Sequence, residues 1–581
     1  MPVKTTRDDR GAHRALLVLA LILFLTTWGA GQRRGAAAEE EGVVYLPLIA
    51  TPVAPSGNPA LGIGFISSAE EPADTLQYSN ALWAGASWNR WPLYWSGVET
   101  AEGQFSWSRV DRVVEGDIEH GLQSNVILMG TPCFYRVDRC ARLPAAPVER
   151  PPGRLLLTAP EAARPDTLYE PVFSDGSDTP GPGKTINQGN VWARFVFAAV
   201  DRYRPGGVLA RQHGWGQGVG VRAWEMWNEP DLAMFWDDSE ADYARLLKVG
   251  YLAAKHADPS ARIVFGGLAY FEEDSFLELV LRVFDGDALA AAHGYFHDIV
   301  AVHNYHYAWH SWWYVYRTGQ TLAQRGLHKE IWVNETGVPA WNDYPGPVWD
   351  PRSAWRATMV EQADYVLQNA FYATFAGADA IFHFQLYDGC GNQPAGTDFP
   401  PHNGELCTSD GRLVTNPDVP CAGDAFGLFR NPSDAVCFRQ HPQPETPRPA
   451  AHAFRLLATE FQDVQPFWRL RPGGSTPFNG PQEWIAFYRP ATRERIIGLW
   501  ARFETDEIAI VPAAGGSARI LYSDGTSEVR RPVDGAYAIA LPAATNQNDP
   551  FDETLYPIGG RTAIVIEELF PPRVWLPIIT R

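Results

Sequence analysis

From Leu61 onward, short apolar runs bounded by turn residues recur along the chain, and stretches with helical spacing separate most of them. The runs at 61–67, 86–93, 125–130, 223–229, 262–268, 299–305, 331–335 and 380–386 read as strands. Residues 107–120, 192–203, 243–256, 275–284 and 355–375 read as helices. Such alternation implies a parallel sheet, and eight strands spread over about 400 residues fit a (β/α)8 barrel with insertions. The insertions are a Pro- and Gly-rich loop at 131–189 and a stretch at 388–449 with almost no periodicity. A loop as long as the second is expected to act as a lid or substrate wall. A last helix is expected at 450–461, which ends the barrel domain, 61–463.

Beyond Asp463 the pattern changes to short strands at 484–489, 495–503, 519–523, 536–541 and 562–567, with Asp524-Gly525 as a hairpin turn. Residues 464–570 therefore read as a small all-β, sandwich-like domain. Its expected role is to pack against the barrel, with carbohydrate binding as the alternative. The chain thus reads as an α/β barrel followed by an all-β domain.

The ends change the picture in a different way. Lys4, Arg7, Arg10 and Arg14 precede an apolar run at 15–28 and Ala36-Ala37-Ala38, the three-part layout of a secretory signal over 1–38. An uncleaved membrane anchor is the competing reading; no other span is apolar enough to cross a membrane. A Pro-rich connector at 39–60 contains Val44-Tyr45-Leu46-Pro47-Leu48-Ile49, and a near copy, Val574-Trp575-Leu576-Pro577-Ile578-Ile579, stands in the 571–581 tail. The two copies read as edge strands or as a surface-association tag. Export predicts disulfides among the six cysteines. Cys133 is expected to pair with Cys140, whereas Cys390, Cys407, Cys421 and Cys437 leave three connectivities. No CxxC spacing occurs, so a zinc site is not expected.

Composition adds two constraints. A net charge of −19 argues against nucleic acid and anionic membrane surfaces, which need clustered Lys and Arg. The aromatic load (22 Trp, 22 Tyr, 29 Phe) provides flat faces of the kind that stack on sugar rings, although aromatics also fill cores. Gly214-Trp215-Gly216-Gln217-Gly218 precedes a strand rather than opening a helix, so no dinucleotide loop is predicted. His293, His297, His303, His306 and His310 contain no HExxH motif, and no metal or other cofactor is predicted.

The chemistry concentrates in Trp224-Glu225-Met226-Trp227-Asn228-Glu229-Pro230-Asp231-Leu232. The run reads as a buried strand that breaks at a proline, with Asn228 and Glu229 at its C-terminal edge. A carboxyl there, crowded by Trp224, Trp227, Phe235 and Trp236, is desolvated and should retain its proton, which suits a general acid. The plainer alternative is a strand-end glutamate that caps the following helix. Glu225 lies four positions earlier, on the same inward face but deeper, where an Arg or His partner is expected; it is the second candidate for the acid. Ile331-Trp332-Val333-Asn334-Glu335-Thr336-Gly337 ends another strand with a second carboxylate.

Trp-Asn-Glu-Pro after a strand resembles the acid/base signature of clan A glycoside hydrolases. The longer run from Trp224 to Trp236 is most similar to the β-xylosidase and α-iduronidase family, glycoside hydrolase family 39. The resemblance implies a (β/α)8 catalytic barrel, Glu229 as acid/base and Asn228 as the partner of a sugar 2-hydroxyl. It implies Glu335 as nucleophile and Arg90, within Trp88-Asn89-Arg90-Trp91-Pro92, as the arginine that hydrogen-bonds it. His303 and Tyr305, in His303-Asn304-Tyr305, match positions that contact nucleophile or sugar. Trp95 and Phe384 complete the expected substrate-binding set; clan members carry a Trp on the eighth strand, where Phe382, Phe384 and Tyr387 stand here. The implied activity is that of an exported retaining O-glycoside hydrolase, secreted or at the cell surface, acting on a polysaccharide or oligosaccharide such as a β-xyloside. A transglycosylase and a catalytically silent carbohydrate-binding surface protein are the alternatives.

Overall fold

The computed structural model describes residues 59–137, 163–233, 235–270, 275–340, 342–343, 356–388, 425–432, 442–547, 549, 552 and 554–570. The signal segment, nearly all of the connector, the second of the two Leu-Pro repeats, Cys140, Cys390, Cys407, Cys421 and Cys437 lie outside these residues, and with them the expected cysteine pairings.

Eight parallel strands close in sequence order: β1 (Ala60–Gly64), β2 (Trp88–Tyr94), β3 (Gln123–Met129), β4 (Ala223–Met226), β5 (Arg262–Leu268), β6 (Ile299–Tyr305), β7 (Glu330–Gly337) and β8 (Ala380–His383). β1 pairs with both β2 and β8, which seals the barrel. Each strand is followed by a helix: α1 (Thr75–Ala84), α2 (Ser108–Glu119), α3 (Val191–Tyr203), α4 (Glu240–Ala257), α5 (Phe276–Phe284), α6 (His310–Ala323), α7 (Met359–Ala376) and α8 (Pro449–Glu460). α1 and α6 were not legible in the pattern. α6 opens His310-Ser311-Trp312-Trp313-Tyr314-Val315-Tyr316, an aromatic and β-branched run whose local propensity favours a strand.

Alternation along the strands sorts the barrel interior by height. Trp88, Ala223, Val264, Ile299, Ala301, Trp332, Ala380 and Phe382 form an apolar floor, in which Trp88 and Trp332 meet with ring centres 5.3 Å apart. A Cβ on Gly62 would lie 2.2 Å from the Phe382 ring, so β1 passes the floor only as glycine. Two residues further along β2 and β4 the same face carries Arg90 and Glu225, both buried. The barrel therefore turns polar toward the C-terminal ends of its strands.

The C-terminal region is antiparallel: a six-stranded sheet in the order β14-β13-β16-β11-β10-β9, and the pair β12-β15. Its strands are β9 (Gln465–Leu470), β10 (Gln482–Arg489), β11 (Glu494–Ala501), β12 (Glu507–Pro512), β13 (Ala518–Tyr522), β14 (Ser527–Arg530), β15 (Ala536–Leu541) and β16 (Ala563–Glu568). β12 and β15 alternate buried and exposed positions, as strands with one solvated face do. β10 and β11 are buried along most of their length because each face of their sheet is covered. One side meets β12 and β15 through Ile497, Leu499, Val511 and Ile539. The other meets α7, where Phe371 packs on Phe461 and Phe487 at 4.7 and 5.5 Å.

Candidate active site

At the polar end of the barrel Arg90 is the hub. Its guanidinium donates through Nε and NH2 to both oxygens of Glu225 (3.0 and 2.9 Å), through NH2 to Asn228 Oδ1 (2.8 Å) and through NH1 to Glu335 Oε2 (2.6 Å). The bidentate pair fixes the plane of the guanidinium, so the third nitrogen has one direction in which to point. Glu225 is fully buried and is itself satisfied by the Asn334 amide (2.8 Å) and the Gly267 N–H (3.0 Å). It is the inward Arg partner that its depth implied, and it holds Arg90 rather than facing the cleft.

Glu335 reaches the site through an irregularity. Counting inward positions from Trp332 puts Asn334 inside and Glu335 outside. The β6–β7 register shifts by one residue, with Val302 opposite Val333 but His303 opposite Glu335. Asn334 is the extra residue of this bulge, and both Asn334 and Glu335 face inward. Glu335 Oε2 then accepts from Arg90, and its Oε1 accepts a short hydrogen bond from the Tyr305 hydroxyl. From outside the barrel, Tyr365 and Asn369 of α7 bond Asn304 and Thr336, which fixes the two strands that carry these groups.

Glu229 arrives differently from the expected continuation of β4. The strand ends at Met226, and both Trp227 (φ 76°) and Glu229 (φ 41°) are left-handed. Non-glycine residues in that region cost on the order of 1–3 kcal/mol each and persist where the surroundings fix them. Here Trp227 is fully buried and donates its indole N–H to Phe235 O at 2.6 Å, Glu229 N–H donates to Gly267 O at 2.9 Å, and Asp231 accepts from the Ala269 and Tyr270 N–H groups. The turn carries the Glu229 carboxyl to His303, whose Nδ1 lies 2.7 Å from Oε1. His303 Nε2 lies 3.3 Å from Arg90 NH2, and against burial the neighbouring Glu335 and Glu229 carboxyls raise the pKa of the ring. One carboxylate oxygen of Glu229 and one of Glu335 lie within 4.8 Å of each other.

The environment separates the two carboxyls. Burial raises the pKa of Glu229, and the nearby Glu335 adds to the rise, against the lowering effect of His303. Burial would also raise Glu335, but the charges of His303 and Arg90 and the Tyr305 hydrogen bond outweigh it and hold this carboxyl below its ordinary value. One group is therefore disposed to keep a proton and its neighbour to lose one. Among the described residues, the one group of acids and histidines spaced to share a cation is Glu229, His303 and Glu335. Arg90 already supplies positive charge there. Desolvation pushes the pKa values of His297, His306 and His310 down to about 4, 3 and 4, with the charge of Lys329 adding to the fall at His297.

Of the expected substrate-binding residues, Arg90, Asn228, His303 and Tyr305 converge on the two carboxyls. Phe384 stands edge-on to Tyr305 at 5.9 Å and to Phe426 at 5.5 Å and forms a side wall. Phe382 is in the floor, and Tyr387 points away to bond Asn80. Trp95 is a correction. It is fully buried, stacked on Phe195 at 4.9 Å, with its indole N–H donated to Glu99 at 2.6 Å, so no face of it is open to a ligand. Asn334, Gly267 and Asp231 belong to the site's support and were not anticipated.

No protein-family model matches this sequence, and no curated protein matches it. Among solved structures, the chain is similar to a family 39 glycoside hydrolase from Bacteroides cellulosilyticus WH2, with TM-score 0.51, 17% identity, and coverage of 87% of this chain and 80% of that one. This likeness establishes the shared fold. Two others are a family 39 β-xylosidase from Caulobacter crescentus (TM-score 0.46, 15% identity, 89% and 98% covered) and a family 30 endoxylanase from Clostridium papyrosolvens C71 (0.48, 11%, 89% and 98%). These three structures are of glycoside hydrolases of families 39 and 30.

Proposed function

We propose that the protein is a retaining O-glycoside hydrolase acting by double displacement. The observation that carries this reading is the pair Glu229 and Glu335, with oxygens within 4.8 Å and opposite tendencies to hold a proton. Retaining enzymes place their carboxyls about 5–5.5 Å apart, whereas inverting ones leave about 6.5–9.5 Å for a water.

Glu335 attacks the anomeric carbon while Glu229 gives its proton to the departing glycosidic oxygen. The C–O bond to the leaving group breaks, and an ester bond from Glu335 to the sugar forms. His303 donates to Glu229 Oε1, which leaves Oε2 to carry the transferred proton. Glu229, now a carboxylate, takes a proton from water, whose oxygen displaces Glu335 and restores both groups. Asn228 Oδ1 is occupied by Arg90, so its amide N–H group is the part free to donate to a sugar hydroxyl. A β-xyloside is the first substrate to try. The layout of residues 1–38 supports export, and N-terminal sequencing of protein recovered outside the cell tests that part.

The deciding experiment uses aryl xyloside, glucoside, galactoside, mannoside and arabinoside with wild type, Glu229→Ala and Glu335→Ala. One sugar should turn over, and azide should rescue both variants to give glycosyl azides of opposite anomeric configuration. Wild-type activity that survives loss of Glu335 would remove it as nucleophile. Glycan binding without turnover of any aryl glycoside or polysaccharide would favour a silent binder.

A further inference from the structure

A second cavity, of about 460 Å3, opens where the start of α6 meets the C-terminal sheet. Its lining includes Trp309, Trp312, Phe503, Arg469, Arg471 and Arg502 and, among the described residues, no carboxylate. Behind the lining sits Glu483, fully buried, which accepts from Arg469 (2.7 and 3.2 Å), from Arg471 (2.7 Å) and from the Tyr372 hydroxyl (2.8 Å). Arg502 is left with a 4.0 Å approach to the same carboxylate and a hydrogen bond to Gly480 O. Even counting Glu504, which bonds Tyr556 at the rim, cations exceed anions here among the described residues, in a protein whose net charge is −19. Burial, and then the charge of Arg471, push the Arg502 guanidinium below its ordinary range, a field that a bound anion would relieve.

The walls are flat and aromatic. Trp309 is 40% exposed and Phe503 37%, while Arg469 lies over the Trp312 ring at 5.0 Å and Arg502 over Phe503 at 4.8 Å. The exposed rings of Trp309 and Phe503, beside these guanidinium groups, match a pyranose, which has an apolar face, when that pyranose also carries a negative group. The loop that bears Trp309 follows Tyr305, the residue bonded to Glu335, so one loop contributes to both the cavity and the cleft.

We propose that this cavity is a subsite for an acidic glycan unit, a sugar bearing a carboxylate or a sulfate ester. Its sugar class rests on the glycosidase reading; the cationic cavity does not.

The test is calorimetric titration of full-length protein carrying Glu335→Ala, with an oligogalacturonate, a sulfated galactan oligomer and a neutral xylo-oligosaccharide of equal length. At least one acidic oligomer should bind at least about tenfold tighter than the neutral one and weaken with salt. Which acid binds identifies the charged group. Trp309→Ala removes an exposed ring without threatening the fold, and Arg471→Gln leaves Arg469 on Glu483; each should weaken acidic binding at least about fivefold. Binding of neither acid, equal binding of the neutral oligomer, or affinity unchanged in both variants would overturn the subsite. Inorganic sulfate matching the oligomers would overturn its sugar part. Wild-type turnover of aryl glycosides is read separately, so failure there strikes the glycosidase reading and not the cavity.

Discussion

Two carboxyls that share a cleft can do acid–base work at one pH only if something holds them in different protonation states. In this chain that something is asymmetric contact. Glu335 has Arg90 at 2.6 Å and the Tyr305 hydroxyl; Glu229 has burial and a histidine. The activity should therefore be bell-shaped in kcat/KM. It falls on the acid side as Glu335, whose pKa lies below its ordinary value, takes up a proton and loses its nucleophilic charge. It falls on the alkaline side as Glu229, whose pKa lies above its ordinary value, loses the proton it must deliver. Arg90→Gln removes positive charge from Glu335, so its pKa rises and the acid limb should move to higher pH, with a plateau lower by about 10²-fold or more. A pH profile on an activated aryl glycoside checks this; an acid limb that stays in place would mean that Arg90 does not set the Glu335 charge. Asn228, Glu229 and Glu335 were legible as candidates because the polar residues at two strand ends stand out from the apolar runs before them. Trp95 was misread for the opposite reason: a buried core tryptophan and a sugar platform are the same letter, and only its neighbours Phe195 and Glu99 distinguish them.

At the scale of elements, the eight strands could be read from apolar runs, but the manner in which two of them deliver their carboxyls could not. Period-two counting would turn Glu335 outward, and the bulge at Asn334 corrects it; β4 stops at Met226, and a left-handed turn carries Glu229 the remaining distance. A bulge leaves no composition signal, and a tryptophan at positive φ contradicts local preference, so both lie beyond pattern reading. Two glycines show what these close approaches require. A Cβ on Gly267 of β5 would fall 1.9 Å from His303 Nε2, and one on Gly62 of β1 would fall 2.2 Å from the Phe382 ring. Gly62→Ala overpacks the apolar floor and should cost about 1–3 kcal/mol of stability with a smaller change in turnover. Gly267→Ala should push His303 away from Glu229 and lower kcat/KM by more than about tenfold, out of proportion to its effect on the unfolding midpoint. Unfolding curves and kinetics on both variants check the contrast, and equal ratios of the two effects would refute it.

At the scale of the whole molecule, the change from alternating strand and helix to short strands alone placed a second, all-β region after the barrel. β9, β12 and β14 escaped the pattern: β9 contains Pro466 and runs along a half-exposed edge, β14 has only four residues, and Glu507 and Pro512 bracket β12. More consequential is how the two regions join. α7 is buried at every position from Glu361 to Phe375, which no one-sided surface helix can be. The barrel covers one side of α7, where Tyr365 and Asn369 brace β6 and β7; the C-terminal sheet covers the other, where Gln368 bonds Gly560 and Thr562 and Asp364 accepts from the Thr562 N–H. Gly498 of β11 has no room for a Cβ because the Phe371 ring would lie 2.6 Å from it. Phe371→Ala empties this contact between Phe461, Phe487 and Trp500 and should cost about 3–5 kcal/mol, the range for a buried aromatic cut to alanine. Because α7 serves both cores, the loss should appear as one shifted transition, seen equally by far-ultraviolet circular dichroism and by aryl-glycoside activity during urea unfolding. If the C-terminal sheet unfolded first while the barrel kept its activity, α7 would be a surface on which the sheet rests rather than the shared core of both.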